Sequence, residues 1–318
     1  MAGFEDNDSG FHVDAGSDIY TGSIRGSLLE YHVENGRTYH KLSEGKYMLP
    51  NDEPEQERME LLHHLYKVTF DDRLCQCPKN DGARHVLDIG TGIGAWALDY
   101  ADRHPEAQVD GIDLSPIQPT FVSANCRFLI DDIENDWVFS DSFDLIFARA
   151  MLGTWGIESW EKIAANAFEN LEPGGYFEIQ DTKLPVRCDD GTLPKDSHLV
   201  RWSESLQQAS VMAGRPCDLT PKLAGVLERA GFVGITVTKR HWPHAPWPKD
   251  KRLRYLGLWT QHVCKADLES LIMRLYTRYL GWTADEVREF CAGVSDDFDN
   301  LSFHAYWDVY SIYGQKPL

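Results

Sequence analysis

Short apolar runs and amphipathic segments alternate along the chain from residue 85 onward. The segments "HVLDIG", "QVDGIDLS", "CRFLIDD", "FDLIFAR" and "YFEIQD" are apolar runs of the length of buried strands. The segment "WALDYADRHP" follows the first of them with helical character, and "SWEKIAANAFENLEPGG" is an amphipathic helix closed by Pro-Gly-Gly. This alternation predicts a parallel sheet with helices on both faces.

Segments with a helical period flank this region. Upstream, "LPNDEPEQERMELLHHLYKVTF" predicts a helix with an apolar face through Met59, Leu62, Leu65 and Tyr66. Downstream, residues 196–230 and 248–294 predict helices around a sixth strand, "GFVGITVTKRHW", and "FHAYWDVYSIYGQKP" predicts a closing strand. Because these helices are rich in tryptophan, we expect them to form a cap with an apolar pocket between it and the sheet edge.

Composition narrows the class of protein. With 318 residues, 42% hydrophobic and 25% charged, the chain suits one large soluble domain, and it has no apolar run long enough to span a membrane. The net charge of −19 disfavours direct nucleic-acid binding. Seven cysteines and no export signal at the N-terminus indicate reduced thiols in the cytoplasm or nucleus, and the pair Cys75 and Cys77 has no obvious further metal ligands. We therefore expect no bound metal.

A glycine-rich turn follows the first strand of the alternation, in "HVLDIGTGIGAW". Gly90, Gly92 and Ala95 match G-x-G-x-x-G/A, which also fits a nucleotide-dependent oxidoreductase. Asp88 distinguishes a dinucleotide site from a site for S-adenosylmethionine. A carboxylate repels the pyrophosphate of a dinucleotide but attracts the ammonium and sulfonium of S-adenosylmethionine. The structural alternative for Asp88 is a helix-capping or turn-bonding role.

Two further carboxylates end the next strands. Asp113 lies where a ribose-binding carboxylate is expected, although it could also cap the following helix. Of Asp131 and Asp132, we favour Asp132 for the adenine amino group because Phe128 and Ile130 alternate inward and leave it at the strand tip. Strand ends meet at one edge of an open sheet, so the three carboxylates predict a single S-adenosylmethionine site.

The chain resembles the class I S-adenosylmethionine-dependent methyltransferases, and more narrowly the LaeA-like methyltransferase proteins of filamentous fungi. "VLDIGTGIGAWALDYAD", "GIDLSPIQP", "NCRFLIDDIENDW", "FDLIFAR" and "LEPGGYFEIQD" resemble that family's motifs in order, as do "ENGRTYHKLSEGKYMLPNDEPEQERMELLHHL" and the C-terminal "HAYWDVYSIYGQKP". The resemblance implies a Rossmann-like sheet of seven strands, mostly parallel, with a reversed last strand and an inserted helical cap.

The resemblance also implies how the cofactor is held. Glycines of the turn approach its methionine part, the second and third strand ends hold its ribose and adenine, and an arginine after the fourth strand meets the methionine end. Two tyrosines of the N-terminal segment close over it. The cofactor residues so identified are Tyr39, Tyr47, Asp88, Gly90, Thr91, Gly92, Asp113, Leu114, Asp132, Ile133 and Arg149.

A single domain is expected at residues 26–318, after an acidic disordered tail at 1–25. Within it we expect a helical lid at about 26–80, a cofactor-binding core at about 84–185 and cap segments at about 190–230 and 248–295.

The predicted function is methylation of a small-molecule acceptor, on oxygen, in fungal secondary metabolism in the cytoplasm. The alternative is a regulatory methyltransferase that works in the nucleus through protein partners such as the velvet proteins. No nucleic-acid or membrane partner is expected, and a homo-oligomer is left open. The acceptor and any catalytic base are not identified by the sequence. A histidine would suit an alcohol or phenol acceptor; His63, His64, His241, His244 and His304 are available, but a structural role is expected for any one of them. Gln180 and Asp181 are expected either to lead towards the acceptor cavity or only to terminate the strand.

Overall fold

A hairpin and a seven-stranded sheet make up the β-structure of the computed structural model, which describes residues 31–42 and 45–318. The predicted tail at 1–25 lies outside the described residues. The hairpin strands are β1 (Tyr31–Glu34) and β2 (Arg37–His40). The sheet strands are β3 (His85–Ile89), β4 (Gln108–Asp113), β5 (Cys126–Ile130), β6 (Phe143–Arg149), β7 (Leu171–Arg187), β8 (Val233–Pro243) and β9 (Tyr306–Gln315).

The order of the sheet is β5-β4-β3-β6-β7-β9-β8. Strands β3 to β7 run parallel, whereas β9 is antiparallel to both of its neighbours, β7 and β8. The predicted fold class, a Rossmann-like sheet with a reversed closing strand, is confirmed. Since β3 and β4 are central and parallel, their carboxyl ends and those of β5 and β6 meet at one edge.

Eight α-helices are found in the described part of the chain. They are α1 (Glu53–Thr69), α2 (Ala95–Arg103), α3 (Ile157–Asn170), α4 (His198–Met212), α5 (Leu223–Ala230), α6 (Lys251–Ala266), α7 (Leu268–Leu275) and α8 (Ala284–Asp299).

Helices cover both faces of the sheet, because the strands carry apolar residues on both faces. Leu87 and Ile89 of β3 pack in one core cluster with α3 and α5, whereas Val86 packs in another cluster with Trp96 and Tyr100 of α2. Alternate residues of a strand point to opposite faces, so the apolar run of β3 is buried on both sides. Because β3 is buried on both faces, the glycine turn that follows it is held in a fixed position at the edge of the sheet.

A separate core cluster holds the cap together. Helices α4, α7 and α8 contribute Trp202, Ile272 and Phe298 to it, and the sheet contributes Leu184 and Trp307. The cap is therefore packed directly on the extended ends of β7 and β9.

Two elements differ from the sequence-based expectation. Strand β7 does not end at Asp181 but continues to Arg187, because this extension pairs with the long reversed strand β9. The N-terminal segment begins with the hairpin and not with a helix. Its turn is Asn35 and Gly36, both at positive φ, 52° and 82°, and Asn-Gly at such a turn is a strong hairpin signal.

Candidate active site

A large cleft opens at the carboxyl ends of β3, β4, β5 and β6, under the segment that follows the hairpin and beside α1. Its volume is about 1210 Å³. Ten of the eleven predicted cofactor residues line it, namely Tyr47, Asp88, Gly90, Thr91, Gly92, Asp113, Leu114, Asp132, Ile133 and Arg149. We call this cleft the cofactor cavity.

Asp88 is buried at the tip of β3. Its Oδ2 accepts a 2.6 Å hydrogen bond from the Thr91 hydroxyl, so the turn-bonding role is present while the carboxyl also lines the cavity. Burial raises the pKa of Asp88 to about 7, although Thr91 and the charge of Arg149 act against this rise. A cation beside the carboxyl would favour its ionised form, whereas a phosphate would force it to be protonated.

The glycines of the turn leave room that a side chain would fill. Gly90 has φ +65°, and a Cβ there would lie 2.6 Å from Cε of Met151. Gly92 has φ +58°, and its Cβ would lie 3.4 Å from Sδ of Met59 on α1. The positive φ and the close approach together explain why the turn requires glycine at position 90.

Asp113 ends β4 and binds backbone on both sides of the cavity. Its Oδ2 accepts from the Gly92 amide at 2.8 Å, and its Oδ1 accepts from the Ser115 amide at 2.9 Å. Burial raises the pKa of its carboxyl above the ordinary value. The side chain thus has the local turn-bonding contacts of the structural alternative and also faces the cavity as the functional hypothesis requires.

Asp132 follows β5 and is buried, whereas Asp131 beside it is exposed. Asp132 Oδ2 accepts a 2.6 Å bond from Nζ of Lys46, which also lies 3.0 Å from Glu134. The lid segment after the hairpin is therefore tied by Lys46 to the third strand end. Both Asp131 and Asp132 line the cavity, so the choice of Asp132 stays a prediction.

Arg149, at the end of β6, is held in the cavity by a chain of polar side chains. Its Nη2 donates a 2.7 Å bond to Nδ1 of His63, whose Nε2 lies 3.1 Å from Oδ2 of Asp99. Because a guanidinium can only donate, His63 Nδ1 must carry a lone pair and Nε2 the hydrogen. Burial lowers the pKa of His63 to about 4, so the imidazole is neutral at physiological pH.

Tyr39 and Tyr47 have different positions. Tyr47 lines the cofactor cavity, but Tyr39 is fully buried in the hairpin. The guanidinium of Arg274 lies 3.9 Å from the centre of the Tyr39 ring. The structure therefore does not bring Tyr39 to the cavity, because a cap helix covers it.

Several lining residues were not assigned to the cofactor from the sequence. They are Lys46, Met59, Leu62, His63, Trp155 and Arg215. Met59 and Leu62 belong to the apolar face of α1, which the sequence marked as core. Only the packing of α1 across the sheet edge turns that face towards the turn, so no local pattern signals this role.

A second cavity, of about 1010 Å³, lies between the cofactor cavity and the cap. We call it the acceptor cavity. Its lining is mostly apolar and aromatic and comes from the lid segment, α1, the strands β7, β8 and β9, and the cap helices. It includes Leu65, Tyr66, Leu184, Trp202, Leu206, Trp242, Val263, Leu271, Leu275 and Trp307. The expected apolar pocket beside the cap is thus present in the structure.

Asp181 lines this second cavity and is 2% exposed. Its Oδ1 accepts from the Thr182 amide at 2.8 Å, and burial raises the pKa of its carboxyl to about 8. Gln180 instead points into the protein, where its Nε2 donates to Glu178 at 2.8 Å. The expectation that both residues lead to the acceptor cavity is therefore wrong for Gln180, because neighbours on a strand point to opposite faces.

Histidine does not supply a base in either cavity. Among the described residues that line the two cavities, His63 is the one histidine, and both of its nitrogens are engaged by Arg149 and Asp99. His241 and His304 instead contact Asp308 and Asp190 at the surface. Apart from Arg58, Asp181 is the one side chain of the Asp, Glu, Lys, Arg or His type among the described residues that line the second cavity.

Cys75 and Cys77 lie beside a carboxylate, a contact that the sequence did not reveal. Their sulfurs are 3.6 Å apart, and ligand atoms of both thiols and of Glu178 lie within 4.8 Å of one another. The Glu178 carboxylate already accepts bonds from the Gln76 and Cys77 amides and from the Gln180 and Ser311 side chains. These bonds make Glu178 a structural acceptor that joins the segment before β3 to β7 and β9.

Along the described residues, none of the helices combines the length and the apolar character needed to span a bilayer.

Comparisons with known proteins agree with the geometry. A family model described as a methyltransferase domain matches residues 61–237. The methyltransferase pytC of Aspergillus terreus is 38% identical over 296 residues, which cover 93% of this chain and 91% of the relative. The secondary metabolism regulator LAE1 of Cochliobolus heterostrophus is 35% identical over 293 residues, covering 90% of this chain and 95% of the relative.

A solved structure shows the same fold. Phosphoethanolamine N-methyltransferase 2 of Haemonchus contortus, in complex with S-adenosylmethionine, superimposes with a TM-score of 0.52 at 15% identity, over 96% of this chain and 75% of that chain. The family match rejects the oxidoreductase alternative, and S-adenosylmethionine is the cofactor of the family. The chain belongs to the class I S-adenosylmethionine-dependent methyltransferases, within their LaeA-like fungal group.

Proposed function

We propose that the protein methylates an oxygen atom of a medium-sized, largely apolar small molecule in fungal secondary metabolism. The observation that carries this proposal is the acceptor cavity, because it adjoins the cofactor cavity and has apolar walls from both the sheet and the cap. A cavity with mostly apolar and aromatic walls suits a ring-containing metabolite. All seven cysteines are free thiols, which supports a cytoplasmic location.

The residues of the cofactor cavity fit the groups of S-adenosylmethionine. Asp113 would accept hydrogen bonds from the ribose hydroxyls, and Asp132 would accept one from the adenine amino group. Asp88 would lie beside the cationic end of the cofactor. Arg149 would meet the carboxylate of the methionine part, with neutral His63 holding its guanidinium in place. When bound, the cofactor supplies a methyl group already activated by its sulfonium.

The chain's own contribution to catalysis is alignment, exclusion of water and removal of one proton. Buried walls around the acceptor keep water away from the reacting centre, and a fixed orientation can supply much of the rate enhancement. Burial raises the pKa of Asp181 to about 8, so it is mostly protonated at pH 7. As the pH approaches 8, its growing ionised fraction would accept the proton of an acceptor hydroxyl while the new oxygen–carbon bond forms. A base with a pKa near the working pH is the efficient choice for this step.

Incubation with methyl-labelled S-adenosylmethionine and an extract of the producing organism tests the proposal. Label in a low-mass product, as an O-methyl ether or ester, is expected. If the product is an ether, Asp181→Asn should reduce its formation while cofactor binding, measured by calorimetry, is retained. Label confined to protein, or no transfer by an enzyme that binds the cofactor, would reject a small-molecule acceptor.

A second candidate function is regulation through protein partners in the nucleus. It is favoured by the 35% identity to LAE1, which is named as a regulator. The two functions separate in a strain that carries Asp113→Ala in place of the wild-type residue. If regulation of metabolite production survives loss of cofactor binding in that strain, the partner-based role is supported; if every phenotype is lost together with the methylated product, the enzyme role is supported.

A further inference from the structure

The cofactor and acceptor cavities share a wall, and a transferred methyl group must cross it. Residues that line both cavities are Tyr47, Leu49, Arg58, Leu62 and Ala150. Arg58 is the one charged side chain among these five. On the proposed function, the acceptor atom must lie beside this wall, so Arg58 is placed next to it.

Arg58 is fixed in one orientation by a buried carboxylate one turn earlier on α1. Its Nε and Nη2 donate to Oε2 and Oε1 of Glu55 at 2.8 and 2.7 Å. Glu55 is fully buried and also accepts a 3.0 Å bond from the Ser270 hydroxyl of α7. The two bonds to Glu55 remove the rotational freedom of the guanidinium. The bond from Ser270 to Glu55 connects the pair to the cap.

The Nη1 edge of Arg58 is left for a ligand. The guanidinium is planar, so this edge faces away from Glu55. Within the described part of the chain Nη1 makes no hydrogen bond, whereas Nε and Nη2 both do. Since the Arg58 side chain is 8% exposed, a donor on this edge is oriented in advance and shielded from solvent.

Among the described residues, the other walls of the acceptor cavity offer no second positively charged side chain for an anionic oxygen. Apart from Arg58, Asp181 is its one side chain of the Asp, Glu, Lys or Arg type among the described lining residues. Burial raises the pKa of Asp181 to about 8, so at pH 7 it is mostly uncharged and does not repel an anion. Leu184 contributes apolar surface, and Trp202 and Trp307 contribute aromatic rings whose buried Nε1 atoms make no hydrogen bond within the described part of the chain. These indole groups are neutral donors, whereas Arg58 supplies the fixed positive charge.

We propose that Arg58 is an acceptor-binding residue, and that it donates from Nη1 to an acidic oxygen, a phenolate or carboxylate, carried by a ring-sized apolar acceptor. This inference rests on the proposed function and adds the class of the reacting group. The guanidinium would hold the oxygen beside the shared wall and favour its ionised, nucleophilic form. Glu55 then acts as a positioning residue that keeps the donor edge turned to the acceptor.

Calorimetry with a defined probe tests the assignment. The wild-type protein, saturated with S-adenosylhomocysteine, is titrated with 2-naphthoate and with its neutral isostere 2-naphthamide. We expect the carboxylate to bind at least tenfold more tightly. In Arg58→Met this preference should fall below twofold while the affinity for S-adenosylhomocysteine changes less than threefold.

Two further variants keep the test decisive. Arg58→Met leaves the Glu55 charge buried and can unfold the protein, so Glu55→Gln combined with Arg58→Met removes both charges together. Arg288→Met, on the half-exposed Arg288 of α8, is the matched control and should keep the full preference. A naphthoate preference that persists in the double variant would overturn the assignment, as would a preference below twofold in the wild-type protein.

The labelling experiment distinguishes failure of this inference from failure of the proposed function. Label in a low-mass product together with no naphthoate preference would reject the role of Arg58 and leave the proposed function standing. An absence of label from any low-mass product would reject the proposed function, whatever naphthoate does. A loss of cofactor affinity in Arg58→Met equal to the loss of probe affinity would assign Arg58 to the cofactor and overturn the proposal.

Discussion

Asp181 gives the sharpest prediction about stability, because its buried carboxyl retains a proton in the folded protein. Burial raises its pKa to about 8 from the ordinary value of 3.8. Between these two values the folded chain binds one proton that the unfolded chain has released. The stabilisation of this protonated group is fully present below pH about 4 and is lost as the pH rises through about 8.

The size of the effect follows from linkage. One proton bound only in the folded state changes the free energy of unfolding by about −1.4 kcal/mol per pH unit. From pH 5 to 7 the wild-type protein should therefore lose about 2.7 kcal/mol relative to Asp181→Asn. Asparagine keeps the oxygen that accepts from the Thr182 amide but has no proton to lose. Asp88, raised to about 7 by burial, titrates in both proteins and cancels in the difference.

Urea unfolding at pH 5, 6 and 7 measures this difference directly. The matched control is Asp144→Asn. Asp144 is partly desolvated, but amide bonds from His85 and Arg84 and the Lys79 charge outweigh this and lower its pKa below the ordinary value. Asp144 is then ionised in both states above pH 5, and its wild-type minus variant difference should be flat. Equal slopes for wild type and Asp181→Asn would show that Asp181 is ionised in the folded protein and would refute the reasoning.

Three predictions concern the cofactor cavity. Asp113→Asn should weaken binding of S-adenosylhomocysteine by about tenfold to a hundredfold, from about 1.5–3 kcal/mol of charged hydrogen bonding; undiminished affinity in calorimetry would contradict its assignment to the ribose. Gly90→Ala should weaken binding of S-adenosylhomocysteine more than Gly82→Ala, because both glycines have positive φ but only Gly90 lines the cofactor cavity. Wild-type affinity for S-adenosylmethionine should rise between pH 6 and 8 as Asp88, with its pKa of about 7, ionises; Asp88→Asn should remove this rise, and a rise that persists would assign it to another group.

The succession of strands along the chain and the motifs at their ends could be predicted from the sequence because they depend on local patterns. The seven-stranded sheet with its reversed strand was implied by the family resemblance. The apolar run of β3 predicts burial on both faces, and a glycine turn before α2 predicts a ligand at the strand ends. Since parallel strands bring their carboxyl ends to one edge, the sequence predicts that Asp88, Asp113 and Asp132 converge. The structure places all three around one cavity.

Two local patterns in the sequence indicate structure that the expectations above do not include. The Asn35-Gly36 turn indicates the β1–β2 hairpin, yet the segment was expected to be helical. Strand alternation also predicts that Gln180 and Asp181 point to opposite faces, which is what separates their roles.

The acceptor side depends on contacts between residues far apart in the chain, and tertiary structure alone decided it. Arg58 is paired with Glu55 one turn away, but its place on a wall between two cavities requires α1, β7 and the cap helices to pack together. The pairing of His63 with Arg149 across 86 residues likewise gives His63 a structural role, which the sequence alone could not assign to any particular histidine. Local periodicity determines which face of an element is apolar. Which polar groups that packing buries, and so which pKa values shift, is decided only when the elements meet.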